Sequence, residues 1–294
     1  MPIRPFRPAD APALAALARS CARGETDFVL NPLWEHEDDL FAEYDRHGID
    51  PEEHLLVAES ATGVEGCAGF VRRPEATTAG LVCPIVARET RGRGLGGDLL
   101  RAALALGADR LGVKLVSAAI GVRNRAGYAL LTALGFRPRR QHFLMRLDAK
   151  PAAPRLPLAG LELAPAMADD AAGVLAIHAA CGFELRDEAE MREAFADRRR
   201  AVAVARHERH VAAFAEIERH WPARPWVAYV GVESRLRDRG VGSALVAFAL
   251  GREFARGAHS ALLLLSPGNR TAVRAYEKVG FRRHRVVDVL ERGL

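Results

Sequence analysis

The residues of this chain best suited to chemistry lie between positions 227 and 281. The run Arg237-Asp238-Arg239-Gly240-Val241-Gly242 follows a β-branched apolar stretch, 227–232, and precedes a helix-forming stretch that starts at Ser243. That order predicts strand, glycine turn and helix. Glycines at 240 and 242 remove the Cβ atoms that would hold a ligand off the backbone, just where the first unbonded N–H groups of a helix point outward. Phosphate is the natural ligand of such a turn, although a glycine turn that merely starts a helix has the same composition. Beyond the apolar run 261–266 come Asn269 and Tyr276, on a short helix that Gly280 stops before Phe281. An amide that hydrogen-bonds and a phenol that gives up a proton are tools of group transfer.

The same arrangement occurs earlier in the chain. A strand-like run, 81–86, precedes Arg91-Gly92-Arg93-Gly94-Leu95-Gly96, and Asn124 is followed by Gly135 and Phe136. Positions 94 and 240, 124 and 269, and 136 and 281 are all 145 or 146 residues apart, a constancy that chance does not produce. The chain reads as two copies of one domain.

Together these motifs resemble the GNAT superfamily of acyl-CoA-dependent N-acyltransferases. The resemblance implies an α/β fold with a mixed sheet in each of two tandem domains, acetyl-CoA as co-substrate and no metal. It places the CoA pyrophosphate on the backbone of Arg237, Asp238, Arg239, Gly240, Val241, Gly242 and Ser243. Pantetheine would lie in a gap beside Val230, Gly231 and Val232, with the Val230 N–H facing the thioester oxygen. Asn269 would hydrogen-bond the pantetheine, and Tyr276 would protonate the departing sulfur. In the first copy the equivalent cofactor contacts are Val86, Arg91, Gly92, Arg93, Gly94, Leu95, Gly96 and Asn124.

The first copy departs from this pattern twice. Leu131 stands where the second has Tyr276, and Pro84 stands where the second has Val230. Proline has no N–H to polarise a carbonyl, and a single oxyanion donor is worth about 10²–10³ in rate. Tyr128, one turn from Leu131, is a doubtful substitute at the start of its helix. The expectation is a catalytic C-terminal domain and a degenerate N-terminal one whose CoA binding stays open.

The general base is less legible. Some family members carry a Glu eleven residues before the motif Arg, but those positions are Trp226 and Gly80 here. Glu216, with Glu218 on the same strand face, is the candidate to take a proton through water; both could equally face solvent. Glu184, Asp187 and Glu188 would attract a cationic amine, or simply form an acidic helix start.

Composition narrows the alternatives. The formal net charge is +5, yet the arginines fall in short groups interrupted by acids and aromatics make up only 6% of the chain, so no stacking platform for nucleic acid accompanies them. The four cysteines show no metal-ligand spacing, which fits a reduced, cytoplasmic setting. His207 and His210 sit in a polar turn and read as a hairpin instead of a metal site. No apolar run is long enough to span a bilayer. The segment 11–18 looks like part of a leader, but 164–178 repeats it in mid-chain, so it belongs to the fold. The reading is an acetyl-CoA-dependent N-acetyltransferase for a small-molecule primary amine. A peptide or protein amine, N-terminal or lysine, is the second reading, and a non-catalytic acyl-CoA sensor or interaction module the third. A monomer is plausible, because the two domains can pair with each other.

The elements that must position these residues follow from periodicity. Strands are expected at 3–6, 54–60, 64–71, 78–86, 114–120 and 141–147, and helices at 10–22 (capped by Asp10), 34–47, 96–111 and 124–134. In the 34–47 helix, Trp34, Leu40, Phe41 and Tyr44 are expected to share one face, as core or substrate lid. Residues 149–160 carry three prolines and are expected to be a stiff linker outside either core, dividing a domain at 1–148 from one at 161–294. The second domain should repeat the plan with strands at 161–163, 201–206, 211–219 and 226–232 and helices at 168–180 and 188–198.

Overall fold

In its first half the chain runs β1 (Ile3–Pro5), α1 (Ala11–Arg23), α2 (Glu37–His47), the single turn α3 (Pro51–His54), β2 (Leu55–Ser60), β3 (Gly63–Val71), β4 (Thr78–Val86), α4 (Leu95–Asp109), β5 (Leu115–Gly121), α5 (Arg125–Ala133) and β6 (Arg137–Leu147). The second half continues with β7 (Leu161–Pro165), α6 (Ala171–Ala180), α7 (Glu188–Ala196), β8 (Arg200–His207), β9 (His210–Glu218), β10 (Trp226–Val232), α8 (Val241–Ala255), β11 (Ala261–Leu265), α9 (Arg270–Val279) and β12 (Arg282–Gly293). The structure is a computed structural model that describes every residue except Glu184, Leu185 and Pro222.

The repeat extends to small devices. Before α1, the Asp10 carboxylate accepts from the Arg7 N–H at 2.8 Å and pairs with Arg4 at 2.8 Å. Before α6, Asp170 accepts from the Met167 N–H at 2.7 Å and pairs with Arg206 at 2.6 Å. Asp10 therefore folds the turn that leads into its helix, and its side chain does not cap the helix as expected. The His207–His210 turn is a hairpin, with Glu208 and Arg209 both in the left-handed region.

The chain divides into two compact units, but not at the prolines. One unit is Met1–His142 with Arg285–Leu294, and the other is Phe143–His284. In the first, the strand order is β1-β2-β3-β4-β5-β12; in the second it is β6-β11-β10-β9-β8-β7. Within each, β4 with β5 and β10 with β11 run parallel, and the pairings flanking them are antiparallel. The place beside β5 is filled by the C-terminal strand, Val287 opposite Gly121 through Gly293 opposite Leu115. The place beside β11 is filled by the end of β6, Leu147 opposite Ala261 through Phe143 opposite Leu265. Each unit thus completes its sheet with a segment from the other half of the sequence, which a cut at 149–160 does not anticipate. The proline-rich segment itself belongs to the second unit, where Leu158 packs on the core. It is more than a spacer.

Burial follows from these sheets. In the first unit Phe6, Trp34, Leu40, Tyr44, Phe70 and Leu290 are part of one core. Trp34 precedes α2, and Phe41 is exposed, so the expected four-residue face is split. In the second unit Leu245, Val246 and Leu250 of α8 bury one face of the sheet against Ala213, Ala215 and Ile217, while Ile177 of α6 and Met191 of α7 cover Val204 and Phe214 on the other. Among the described residues no helix is long and apolar enough to cross a membrane. Because Leu290 is fully buried in the first unit, Leu290→Ala is expected to destabilise the protein by about 2–5 kcal/mol in denaturant unfolding. A loss within about 0.5 kcal/mol, as at an exposed strand end, would contradict the exchange of strands.

Candidate active site

In the second unit the parallel pair β10 and β11 is registered at a single position, Trp226 opposite Leu262. Beyond it β10 stays with β9, through an irregularity between Val227 and Tyr229, and leaves β11. The N–H of Glu233 donates to Ala212 of β9 at 2.9 Å. Backbone alternation then turns the N–H groups of Val230 and Val232 toward the edge that β11 has vacated. The Val232 carbonyl lies on that edge too and accepts from Arg237 Nε at 3.0 Å. The motif arginine thus ties the turn back to the strand.

The turn is exposed and built for close approach. Asp238 and Gly240 have φ of 61° and 86°, which alternate with ordinary residues and bring the chain into α8 at Val241. Among the described residues, no hydrogen bond uses the N–H groups of Asp238, Arg239 or Gly240. These, with the first turn of α8, form a cluster of donors at a helix N-terminus suited to a phosphate. Gly242 serves packing: a Cβ there would stand 3.2 Å from Val232 Cγ2, so a larger residue would have to push that side chain aside for α8 to lie this close to β10. Ser243 contributes backbone only, since its hydroxyl donates to the Ala275 carbonyl at 3.1 Å and holds α9 against α8.

Helix α9 carries the other two residues. Asn269 caps it, with its side-chain oxygen accepting from the Ala272 N–H at 3.1 Å, and the residue is exposed. Tyr276 packs edge-on against Phe281, with ring centroids 5.6 Å apart. Burial pushes its phenol up to about 12, so the ring oxygen keeps its proton across the neutral and mildly alkaline range.

Glu216 is placed for a different task from the one expected. It is fully buried, and its two oxygens are held by Arg186 at 2.8 Å and Arg200 at 2.7 Å. Both oxygens already accept from guanidinium donors, and neither faces solvent. It serves instead to position Arg186, whose guanidinium lies 5.2 Å from the centre of the Tyr229 ring. Tyr229 sits directly opposite Glu216 across the strand pair, and His178 and Phe183 meet its ring at 5.2 and 5.0 Å. Glu218 is buried as well. Asp187 and Glu190 form a reciprocal cap of α7, and Glu188 pairs with Arg192, so the acidic run is a helix start; Glu184 lies outside the described residues. The aromatic group around Tyr229 was not legible in the sequence, where its members are scattered over 178–229.

The first unit has the same frame. Its parallel pair separates after Gly80 opposite Ser117, and Arg91 Nε donates to the Val86 carbonyl at 2.9 Å. Gly92 and Gly94 have positive φ, and α4 begins at Leu95, followed by Gly96. The chemistry differs. Pro84 falls within the irregularity of β4, Leu131 is core, and Arg91 is ion-paired with Asp27 at 3.0 Å. Asn124 caps α5 as Asn269 caps α9, but it is buried, at 7% exposure.

A parting parallel strand pair, a glycine turn and an Asn-capped helix, present twice, define an α/β protein of the acyltransferase class. The family models agree: the acetyltransferase (GNAT) domain matches residues 1–137, and the acetyltransferase (GNAT) family matches residues 171–281. The chain belongs to the GNAT family, once in each half. A stretch of 71 residues is 38% identical to a mycothiol acetyltransferase of Corynebacterium glutamicum, and it spans 24% of this chain and 24% of that protein. Among solved structures, a GCN5-related N-acetyltransferase from Sphaerobacter thermophilus matches with a TM-score of 0.79 at 22% identity, over 99% of this chain and 95% of that one. A tandem GNAT protein from the clavulanic acid biosynthesis pathway matches with a TM-score of 0.75 at 17% identity, over 99% and 98%. These two likenesses establish the fold.

If Glu216 is the clamp described, Glu216→Gln should lower unfolding free energy by about 3 kcal/mol, the low end for one partner of a buried ion pair because both arginines are partly exposed. A variant that melts like the wild type but has lost turnover would restore Glu216 as the base.

Proposed function

We propose that the C-terminal unit transfers the acetyl group of acetyl-CoA to a primary amine of a small molecule by direct attack on the thioester. The observation that carries this reading is the parting of β10 from β11 beyond Trp226, which turns the Val230 N–H into an unfilled edge beside a phosphate-binding turn. The backbone of 237–243 would hold the pyrophosphate, and the Asn269 NH₂ the pantetheine. A neutral amine then adds to the carbonyl carbon while the Val230 N–H stabilises the charge growing on oxygen. As the C–S bond breaks, Tyr276 gives its proton to sulfur, and the surplus proton on nitrogen passes to water and restores the phenol. No side chain is needed as base if the amine arrives neutral.

Crowding on the other face of β10 supports a small acceptor. His178, Phe183 and the Arg186 guanidinium all rest on the Tyr229 ring, which narrows that face. The partial match to proteins named mycothiol acetyltransferases is in keeping with this. A peptide amine would need an open channel there, and a sensor would bind acetyl-CoA without turning it over.

Tyr276→Phe is expected to lower kcat by about 10²–10⁴ and leave the KM for acetyl-CoA within a few-fold, in thiol-release assays against a panel of amines. An unchanged kcat would remove Tyr276 from the chemistry. The phenol also predicts a pH signature in stability. Below its ordinary range near 10 it is neutral in folded and unfolded chains alike; between 10 and about 12 only the unfolded chain ionises. The wild type should therefore lose stability relative to Tyr276→Phe across that window and not below it. Parallel curves would mean the phenol is solvated.

A further inference from the structure

The gap between β4 and β5 of the first unit is filled. Residues 28–31 run through it as an additional strand: Val29 forms an antiparallel bridge with Ile120. On the β5 side, the Leu30 N–H donates to the Ala119 carbonyl at 3.0 Å, and the Gly121 N–H donates to the Phe28 carbonyl at 3.2 Å. On the β4 side, the Cys83 N–H donates to the Asn31 carbonyl at 2.9 Å. Cys83 is the residue just before Pro84.

The fit is specific. A Cβ on Gly121 would stand 3.1 Å from Phe28 Cδ1, so any larger residue would crowd the Phe28 ring; the second unit has Ser266 at the equivalent position. Phe28 and Val29 are buried, and the Arg285 guanidinium covers the Phe28 ring at 5.4 Å. Asn124 Nδ2 donates to the Phe28 carbonyl at 3.3 Å, whereas the matching NH₂ of Asn269 is exposed. Asp27, next to the segment, pairs with Arg91 and Arg88 at 3.0 and 3.2 Å, anchoring it to the arginine of the glycine turn. In the second unit, the described residues place no chain segment in the corresponding gap.

We infer that residues 28–31 permanently occupy the acyl-CoA groove of the N-terminal unit, doing with peptide groups what pantetheine would do, so that the chain binds a single acyl-CoA, in its C-terminal unit. The inference about the first groove stands on its own hydrogen bonds; the count of one rests on the function proposed for the second. It also explains Pro84 and Leu131. A groove that never receives a thioester needs neither an oxyanion donor nor a sulfur acid.

The test uses the full-length protein and two readouts. Calorimetric titration with CoA should saturate at one molecule per chain, and Gly240→Glu, which puts a strained and negatively charged residue into the C-terminal turn, should bind none. Amide exchange resolved to single residues should find Leu30, Cys83 and Gly121 slow without ligand and unchanged by saturating CoA. Two molecules per chain, a site surviving Gly240→Glu, or CoA-dependent protection of Cys83 and Gly121 would overturn the inference. If no CoA binds at all, the reading of the second unit fails, while slow exchange at these three amides upholds the filled groove and fast exchange refutes it.

Discussion

A strand that leaves its parallel neighbour in the middle of a sheet strands a row of N–H and C=O groups, and the free energy of leaving them unmatched is too high to ignore. Everything specific to this protein follows from that requirement, met twice in two ways. Beyond Gly80 the vacated edge is satisfied from within the chain. Beyond Trp226 it is met by none of the described backbone; the Arg237 side chain takes the Val232 carbonyl, and the Val230 N–H is left to water or a ligand. The second situation costs stability in the absence of ligand and yields binding energy in its presence.

The surroundings of the second gap keep it open and in shape. Arg237 bonds back to the Val232 carbonyl, Ser243 fixes α9 to α8, and Gly242 lets α8 press against β10. On the opposite face, a buried carboxylate between two arginines sets the position of Arg186 over Tyr229. Such a clamp is a poor source of net stability but a good source of a unique geometry, because any other rotamer leaves a charge buried and unmatched. The strand is thus held by side-chain contacts on both of its faces.

Much of this was legible in the sequence, and the limits are instructive. The two glycine turns, the helices that follow them and the repeat could be read because each is a local pattern with one physical cause. The strands at 78–86 and 226–232 and the hairpin at 207–210 could be read for the same reason. What escaped was set by distant partners. The ion pairs of Glu216 could not be read, because its arginines come from positions 186 and 200. Residues 282–293 carry a run of arginines and no clean alternation, so the last strand, and with it the exchange between halves, went unanticipated. The filling strand at 28–31 makes one bridge only, too short for any period to betray it, and its role depends on a glycine ninety residues away.

The exchange of strands also governs the order in which the molecule can be made. Residues 285–294 emerge from the ribosome only after all of the second unit, so the first unit waits with β5 unpaired on one side while residues 143–284 are synthesised. An exposed strand edge of that kind invites wrong pairing, and closing a contact across so long a loop is slow. The two copies are therefore not independent folding modules strung together. The nascent chain passes through a long window in which the half that arrives first is the half that finishes last.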